Sequence, residues 1–489
     1  MSDQTRVEDQ KDRTDSTKPT VKEKTSVTQH TISVNGETIS YSVTTGTIIL
    51  REEDFEEGEI QKASIFYIAY VKNDPEEGRS VTFSFNGGPG SSSVWLHLGL
   101  LGPKRVQMDD EGHPVGPPYQ LVDNDFTLLD KTDLVFIDPV STGYSRTVPK
   151  EKPEQFHNVK KDIESVGDFI RLWTTRNKRW TSPKFLIGES YGTTRAAGLA
   201  GYLHHRHGMY LNGIMLISSI INFITAEFDE GNDLPFILFL PSYTATAWYH
   251  KKLSSQLQEN LEIAVAKSKS FALNQYTLAL MKGNKINAQE RQEVIEKLVH
   301  LTGLSEEYIA GTDLRINIHR FCKELLRDEG VTLGRLDSRY RGFDRDNVGE
   351  THEIDPSYAA ILGPYSAAMY DYVRRDLEYE TDLPYEILKS LYKTWKYENY
   401  QNNYVNTAKD LRLGFQLHPG LKVLVCNGYY DLATPFLATE YTFNHIPLPM
   451  AQQGNITMTY YEAGHMMYLH KPSLKDLSDD LHQFILSAM

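Results

Sequence analysis

Cysteine is nearly absent from this chain of 489 residues, which contains only Cys322 and Cys426. Two cysteines allow at most one disulfide, so the protein is not a small secreted domain framed by disulfide bonds. Neither cysteine has histidine or cysteine neighbours at the spacing of a metal site, and free cysteine is commonly a small buried residue. We therefore predict two buried thiols, no metal site and no cofactor.

Positive charge is also in deficit, because 51 basic residues stand against 65 acidic ones and the net charge is −14. A general nucleic-acid-binding protein needs a cationic surface, so that class is excluded, and binding to an anionic membrane is disfavoured on the same ground. No run approaches the roughly 20 apolar residues that span a bilayer. Residues 1–28 are polar and lack the apolar segment of a secretion signal, so we expect a flexible tail and a cytoplasmic protein, or a secreted one if a leader was removed.

Apolar residues make up 40% of the chain, enough for a large core, and their spacing predicts strands of two kinds. The opening is predicted to be antiparallel, with a hairpin that turns at Asn35-Gly36 and a further strand at 63–71. Short apolar runs then predict strands buried on both faces of a parallel sheet, at 81–85, 134–137, 185–187, 214–217, 423–425 and 456–461. Amphipathic stretches between some of these strands predict helices, which indicates an α/β architecture.

The stretch from 221 to 385 lacks clear strand patterns and is rich in helix-forming residues. We predict a polar tail over 1–28, a first part of the core over 29–220, a mainly helical cap insertion over 221–385 and a second part of the core over 386–489. The expected fold class is therefore α/β, with a mostly parallel central sheet flanked by helices and interrupted by the cap.

A G-x-S-x-G motif occupies residues 188–192, between a predicted strand and a predicted helix. A sharp strand-to-helix turn strains the backbone of the central serine, and neighbours without side chains let the turn close. The hydroxyl of Ser190 then projects above the edge of the sheet. Glycine and serine are common in ordinary turns, but the strand–turn–helix context favours the nucleophile of an α/β-hydrolase fold.

A serine hydroxyl needs a base, and in this fold the acid and the base follow the serine in the order Asp, His. Asp431 follows the predicted strand 423–425, and His465 follows the predicted strand 456–461, so both come just past the carboxyl ends of strands. We predict that His465 takes the proton of Ser190 and that Asp431 orients the imidazole. The alternatives are a helix N-cap for Asp431 and a loop histidine bonded to backbone for His465.

The run Asn-Gly-Gly-Pro-Gly-Ser-Ser-Ser at 86–93 places glycine amides directly after an early strand. Such amides suit an oxyanion hole, whose donors must point to where the tetrahedral oxygen forms. We assign the N–H groups of Gly88 and Tyr191 as the donors. A plain glycine-rich turn stays open, while a phosphate-binding loop is disfavoured because no lysine follows at the spacing of a P-loop.

Together these segments resemble the serine carboxypeptidase family, peptidase family S10. The matching runs, in the family's order, are 86–93, 138–145, 188–192, 427–431 and 464–466. The resemblance implies hydrolysis of the C-terminal peptide bond through an acyl-enzyme, with a peptide bearing a free C-terminus as substrate. It also implies that Asn86 and Glu189 hold the terminal carboxylate, with Glu189 protonated, and that Met466 lines the leaving-group pocket.

Departures from the family pattern bear on specificity. Ser91 stands where the family usually has cysteine, and Ser84 where it commonly has tryptophan. Leu100 stands where the family usually has a glutamate that would pair with Glu189 in carboxylate recognition. An esterase or acyltransferase on the same triad is therefore the alternative enzyme, and a catalytically silent binding protein is the alternative of another class. Three arginines within 335–341 could also bind a substrate carboxylate from the insertion.

Overall fold

A central sheet organises the computed structural model, which describes residues 20–397 and 400–489. Its strands in chain order are β1 (Thr25–Val34), β2 (Glu37–Asp54), β3 (Gly58–Lys72), β4 (Ser80–Phe85), β5 (Thr132–Ile137), β6 (Lys184–Ser190), β7 (Gly213–Ser219), β8 (Lys422–Gly428) and β9 (Ile456–Tyr461). In space they run β1-β2-β3-β5-β4-β6-β7-β8-β9, and the two-residue strand Arg146–Thr147 pairs with β3. Pairing is antiparallel from β1 to β5 and parallel from β5 to β9.

The antiparallel opening turns where the sequence predicts. Asn35 and Gly36 both have positive φ, 52° and 82°, as a primed two-residue turn requires. The first strand begins earlier than expected, because Thr25 already pairs with Gly46, within the segment predicted as a tail. Backbone pairing with β2 orders these polar residues, which composition alone does not reveal. Residues 1–19 of the predicted tail lie outside the described residues.

Helices flank the sheet and build most of the insertion. Those of nine or more residues are α1 (Val159–Arg176), α2 (Tyr191–His207), α3 (Leu234–Tyr249), α4 (Leu261–Phe271), α5 (Ala288–Thr302), α6 (Pro356–Arg375), α7 (Ala408–Leu417), α8 (Phe436–Asn444) and α9 (Lys471–Ala488). Shorter α-helical segments are Val94–Leu96, Ser255–Gln258, Thr277–Lys282, Glu306–Gly311, Ile318–Glu324 and Met450–Gln453, and two π-helical turns are His97–Leu101 and Ala272–Tyr276. Short strands pair Lys104–Val106 with Leu121–Asp123, and Thr332–Leu333 with Arg341–Gly342.

Both faces of β4 to β8 are largely buried, as their apolar runs predict. The same prediction is wrong for β9, which lies at the edge of the sheet: only its last residue, Tyr461, is buried, and the others are half-buried or exposed. Along β7, Ile214 and Leu216 pack in the cluster that contains α1, α2 and α7, while Met215 and Ile217 pack in the cluster that contains α6 and α9. A third apolar cluster joins α3, α4 and α5 and extends to Leu432 in the loop after β8. The helical insertion is therefore packed against the loop that carries the predicted acid.

The two cysteines are buried and free, as predicted. Over the part of the chain that the structure describes, no helix combines the length and apolarity needed to cross a bilayer.

Candidate active site

Ser190 lies at the junction of β6 and α2, on a backbone with φ 59° and ψ −131°. Residues other than glycine rarely adopt positive φ, and such strain is characteristic of functional turns. The flanking glycines are sterically required, since a Cβ at Gly188 would collide with Gly192 O and a Cβ at Gly192 would lie 2.7 Å from Phe85 O. The tight turn leaves the Ser190 side chain partly exposed at the carboxyl end of β6.

Asp431 and His465 are brought together as an acid–base pair. His465 Nδ1 lies 2.7 Å from Asp431 Oδ2, and both side chains are buried. The carboxylate also accepts from Ala433 N–H at 2.7 Å, and from the N–H and hydroxyl of Thr434 at 3.0 and 2.6 Å. The N-cap of α8 is Pro435, so Asp431 serves the imidazole and its own loop, and does not cap that helix.

The backbone of His465 is tied to the strand beside the nucleophile. Its carbonyl accepts from the Ser218 hydroxyl at 2.6 Å, and the next residue, Ser219, pairs with Ser190 in the sheet. Both hydrogen bonds that the imidazole makes to described residues use Nδ1, so Nε2 is left for Ser190. No hydrogen bond joins Ser190 and His465 among the described residues. Such catalytic bonds often tighten only when substrate binds.

The pKa of His465 reflects opposing effects. Burial, the largest of them, lowers the pKa because it disfavours the charged ring. The charge and hydrogen bond of Asp431, together with the charge of Glu189, outweigh burial and raise the pKa above its ordinary value of 6.5. Ionised Asp431 thus makes the imidazole a stronger base and stabilises the imidazolium that forms when it takes a proton.

The two predicted oxyanion donors belong to backbone segments that touch, and neither donates a hydrogen bond to a described residue. Tyr191 is the first residue of α2, so its N–H has no acceptor within the helix. The glycine loop touches this point, because a Cβ at Gly87 would collide with Tyr191 N and lie 2.7 Å from Gly192 N. Gly88 has φ 103°, and its N–H enters no turn or loop hydrogen bond of the described residues. Both amides are therefore available to an oxygen above Ser190.

A buried ion pair that no sequence motif indicates supports the glycine loop. Arg195 in α2 is 1% exposed and binds Asp162 of α1 through hydrogen bonds of 2.8 and 3.1 Å. Its third nitrogen donates to the Asn86 carbonyl at 2.7 Å. The available sequence signal was an arginine among the small and apolar residues of 193–203. The pair fixes the start of the glycine loop relative to the helix that follows Ser190.

Asn86 and Glu189, predicted to hold a carboxylate, form one buried cluster. Asn86 Nδ2 donates to Glu189 Oε1 at 2.9 Å, and the hydroxyl of Tyr468 donates to Glu189 Oε2 at 2.6 Å. Burial above all raises the pKa of Glu189 to about 7, against the lowering effects of His465, Tyr468 and Asn86. A carboxyl that is protonated near neutrality can meet a carboxylate without repulsion. Tyr468 belongs to no predicted motif.

The residues that depart from the family pattern are also buried. Leu100 lies in the apolar core and offers no polar group to Glu189. Ser91 accepts a hydrogen bond of 2.9 Å from Trp95 Nε1, which gives its hydroxyl a structural partner. Met466, predicted to line the leaving-group pocket, is 4% exposed directly after His465 in the chain.

Two of the three arginines within 335–341 are engaged elsewhere. Arg339 forms a buried ion pair of 2.7 Å with Asp337, and Arg341 pairs with Glu329. These two arginines line a cavity of about 840 Å³ beside the active-site loops, and neither Ser190 nor Glu189 lines it. Arg335 makes no ion pair with a described residue, so it is the arginine left to meet a substrate charge.

Comparison with known proteins gives a consistent result. A family model described as serine carboxypeptidase matches residues 55–472. Serine carboxypeptidase-like 5 of Arabidopsis thaliana is 29% identical over 140 residues, which are 27% of this chain and 30% of that protein. Carboxypeptidase Y homolog of Arthroderma benhamiae is 31% identical over 169 residues, 32% of this chain and 30% of that protein. Pheromone-processing carboxypeptidase KEX1 of Saccharomyces cerevisiae is 33% identical over 155 residues, 30% of this chain and 20% of that protein. The chain thus spans less than a third of each relative's length.

Proposed function

The chain belongs to the serine carboxypeptidase family, and we propose that it releases C-terminal residues from peptides through an acyl-enzyme on Ser190. The observation that carries the proposal is the buried hydrogen bond of 2.9 Å between Asn86 and Glu189. Glu189 is the residue directly before the nucleophile in the chain. An ester hydrolase has no need of a protonatable carboxyl at that position. An enzyme that selects a free C-terminus can use one, because a protonated carboxyl binds the substrate's carboxylate without repulsion.

The triad supports both half-reactions. Ser190 attacks the carbonyl carbon of the last peptide bond while His465 Nε2 takes its proton, and Asp431 keeps the ring oriented. The N–H groups of Gly88 and Tyr191 stabilise the oxyanion. His465 then gives the proton to the departing amine, and the acyl-enzyme remains. Water next loses a proton to His465 and attacks the acyl carbon, and the proton returns to Ser190 as the shortened peptide leaves.

Substrate recognition follows from the groups beside the triad. In this proposal Asn86 and protonated Glu189 bind the terminal carboxylate of the departing residue, and Met466 lines the pocket for its side chain. Peptides with a free C-terminus are the substrate class, and a cytoplasmic location stays a prediction.

Leu100 is the observation that favours an esterase or acyltransferase as the second candidate. It removes one carboxyl from the usual recognition pair, while the triad and the oxyanion amides are unaffected. A silent binding protein is the weakest candidate, since a scaffold has no physical need for a strained serine, a buried acid–base pair and two unused amides together.

Two measurements separate these candidates. A fluorophosphonate probe should label the wild-type protein and fail to label Ser190→Ala, whereas an unlabelled wild type would support the silent scaffold. Blocked dipeptides with a free or an amidated C-terminus, compared from pH 4 to pH 8 by kcat/KM, should be cleaved only when the terminus is free. Equal turnover of both, or turnover of esters alone, would favour the second candidate.

A further inference from the structure

The carboxylate-binding cluster lacks one acidic group and contains a tyrosine instead. Leu100 is fully buried in the core, so its position contributes no hydrogen bond to a ligand beside Glu189. The hydroxyl of Tyr468 lies 2.6 Å from Glu189 Oε2, a length that suits O–H···O bonding in either direction. Tyr468 comes from the turn Met467–Leu469, three residues after His465, so the loop that carries the base also delivers this hydroxyl.

A second tyrosine, Tyr365 of the helical insertion, lies next to Tyr468. Tyr365 in α6 is 1% exposed and packs on Trp95, with ring centroids 5.0 Å apart. A Cβ at Gly99 would lie 2.5 Å from Tyr468 Cε2 and 2.7 Å from Tyr365 Oη, so Gly99 leaves room for both rings. Tyr365 Oη makes no hydrogen bond with a described residue and is therefore a free donor.

We propose that Tyr468, with Tyr365 beside it, replaces the missing carboxyl and donates the second hydrogen bond to the substrate's terminal carboxylate. The inference rests on the proposed function and names the residues that set its specificity for a free C-terminus. The inference changes the role of Glu189 in the proposed function from direct to indirect binding: its protonated carboxyl donates to the phenol oxygen, and the phenol O–H donates to the ligand.

A site made of one carboxyl and two phenols titrates differently from a site made of two carboxyls. Burial raises the pKa of both phenols above the ordinary value of 10, so they remain donors across the working range. Besides the neutral groups Asn86, Tyr468 and Tyr365, the groups facing Glu189 are His465 and Asp431. Recognition of the free C-terminus therefore depends on one titrating carboxyl, Glu189.

Tyr468→Phe tests the inference because it removes one hydroxyl and keeps the ring. Loss of a hydrogen bond to a charged group should lower kcat/KM for a blocked dipeptide with a free C-terminus about 10- to 100-fold, mainly through KM. Slow turnover of the matching ester with a capped terminus should be unchanged. The alkaline limb of the pH profile should move to higher pH, because the Tyr468 hydrogen bond lowers the pKa of Glu189. At a pH where Glu189 is protonated in both proteins the loss of kcat/KM should remain, whereas a role confined to setting the pKa of Glu189 would leave no loss there.

Two further Tyr→Phe variants serve as a second test and as a control. Tyr365→Phe should weaken binding of the free-carboxylate substrate in the same direction, and it tests the inference separately if Tyr468→Phe does not fold. Tyr358→Phe, on the same helix and 6.3 Å from the Trp95 ring, should behave as wild type. Fluorophosphonate labelling of Ser190 should proceed at the wild-type rate in all three variants.

The outcomes separate this inference from the proposed function. An unreactive wild type, or one that cleaves peptides regardless of the terminus, would refute the function itself. A carboxypeptidase that is unaffected by both Tyr→Phe changes, or that loses free and capped substrates equally, would refute only the inference. Selective loss in Arg335→Gln with none in the tyrosine variants would assign the carboxylate to the guanidinium instead, and would also refute it.

Discussion

The proposed mechanism requires Glu189 to be protonated while His465 is unprotonated. Glu189 has to be protonated to bind a carboxylate, and because burial raises its pKa to about 7, it is protonated below that pH. His465 has to be neutral to accept a proton, and because its pKa is raised above 6.5, it is neutral only above that raised value. We therefore expect a bell-shaped dependence of kcat/KM on pH near neutrality for peptides with a free C-terminus. Because the two groups interact, the apparent pKa values of its acidic and alkaline limbs belong to the pair and not to either residue alone.

Glu189→Gln should remove the alkaline limb of that bell. Glutamine cannot ionise and still donates a hydrogen bond, so binding of the terminal carboxylate should persist as the pH rises. The acidic limb, which reports His465, should remain. The measurement is kcat/KM against pH for a blocked dipeptide in both proteins. An alkaline limb that persists in the variant would show that another group controls it.

The glycine loop and the serine turn act as one element, because their backbones touch. Gly87→Ala should lower kcat about 100-fold or more, since its Cβ would collide with Tyr191 N and displace oxyanion donors that are each worth about 10² to 10³ in rate. Gly454→Ala, where nothing lies within 4 Å of the new Cβ, is the matched control. Wild-type kcat in the Gly87 variant would disprove the assigned oxyanion hole.

The Arg195–Asp162 pair joins α1, α2 and the glycine loop, so its loss should affect stability. Arg195→Leu leaves a buried carboxylate without its partner and should lower the free energy of unfolding by about 3–5 kcal/mol. The double change Asp162→Leu with Arg195→Leu should recover part of that loss. Urea denaturation at equilibrium measures both. A loss of less than about 1 kcal/mol in the single variant would contradict a tightly coupled buried pair.

Some of the strands and loops near the site could be predicted from the sequence, and others could not. The strands β4 to β8 were predictable because burial on both faces leaves largely apolar runs, and β9 was placed correctly in the chain although it is mostly half-buried or exposed. The segment after α6 was not, although it covers the glycine loop: Ser92 N–H donates to Ile387 O and Lys389 N–H donates to Gly90 O, each at 2.9 Å. Those contacts are made by backbone atoms, so the order of side chains in the sequence does not predict them.

Across the whole molecule, the order of strands was the main basis for predicting the candidate site. Ser190, Asp431 and His465 each follow a strand, and parallel strands end at one edge, so their meeting could be anticipated. Tyr468 could not be anticipated, because its hydroxyl meets Glu189 across 279 residues of chain without any local motif. Tyr365 and Arg195 were missed for the same reason, since packing between distant segments defines their roles.

The thermal stability of the whole protein should not depend on reducing agents. Cys322 and Cys426 are buried and free, and burial raises the pKa of both thiols, that of Cys426 to about 12, so neither is a reactive thiolate. The Tm in thermal unfolding should therefore be the same with and without dithiothreitol. A Tm that falls on reduction would reveal a disulfide and contradict two free cysteines.

Carboxypeptidase activity on Ser190 is tested by mass spectrometry of the products from one peptide with a free C-terminus and from the same peptide with an amidated C-terminus. The free peptide should lose residues stepwise from its C-terminus, the amidated peptide should lose none, and Ser190→Ala should give no products from either. Internal fragments, shortening from the N-terminus, or equal digestion of both peptides would contradict a carboxypeptidase built on Ser190, Asp431 and His465.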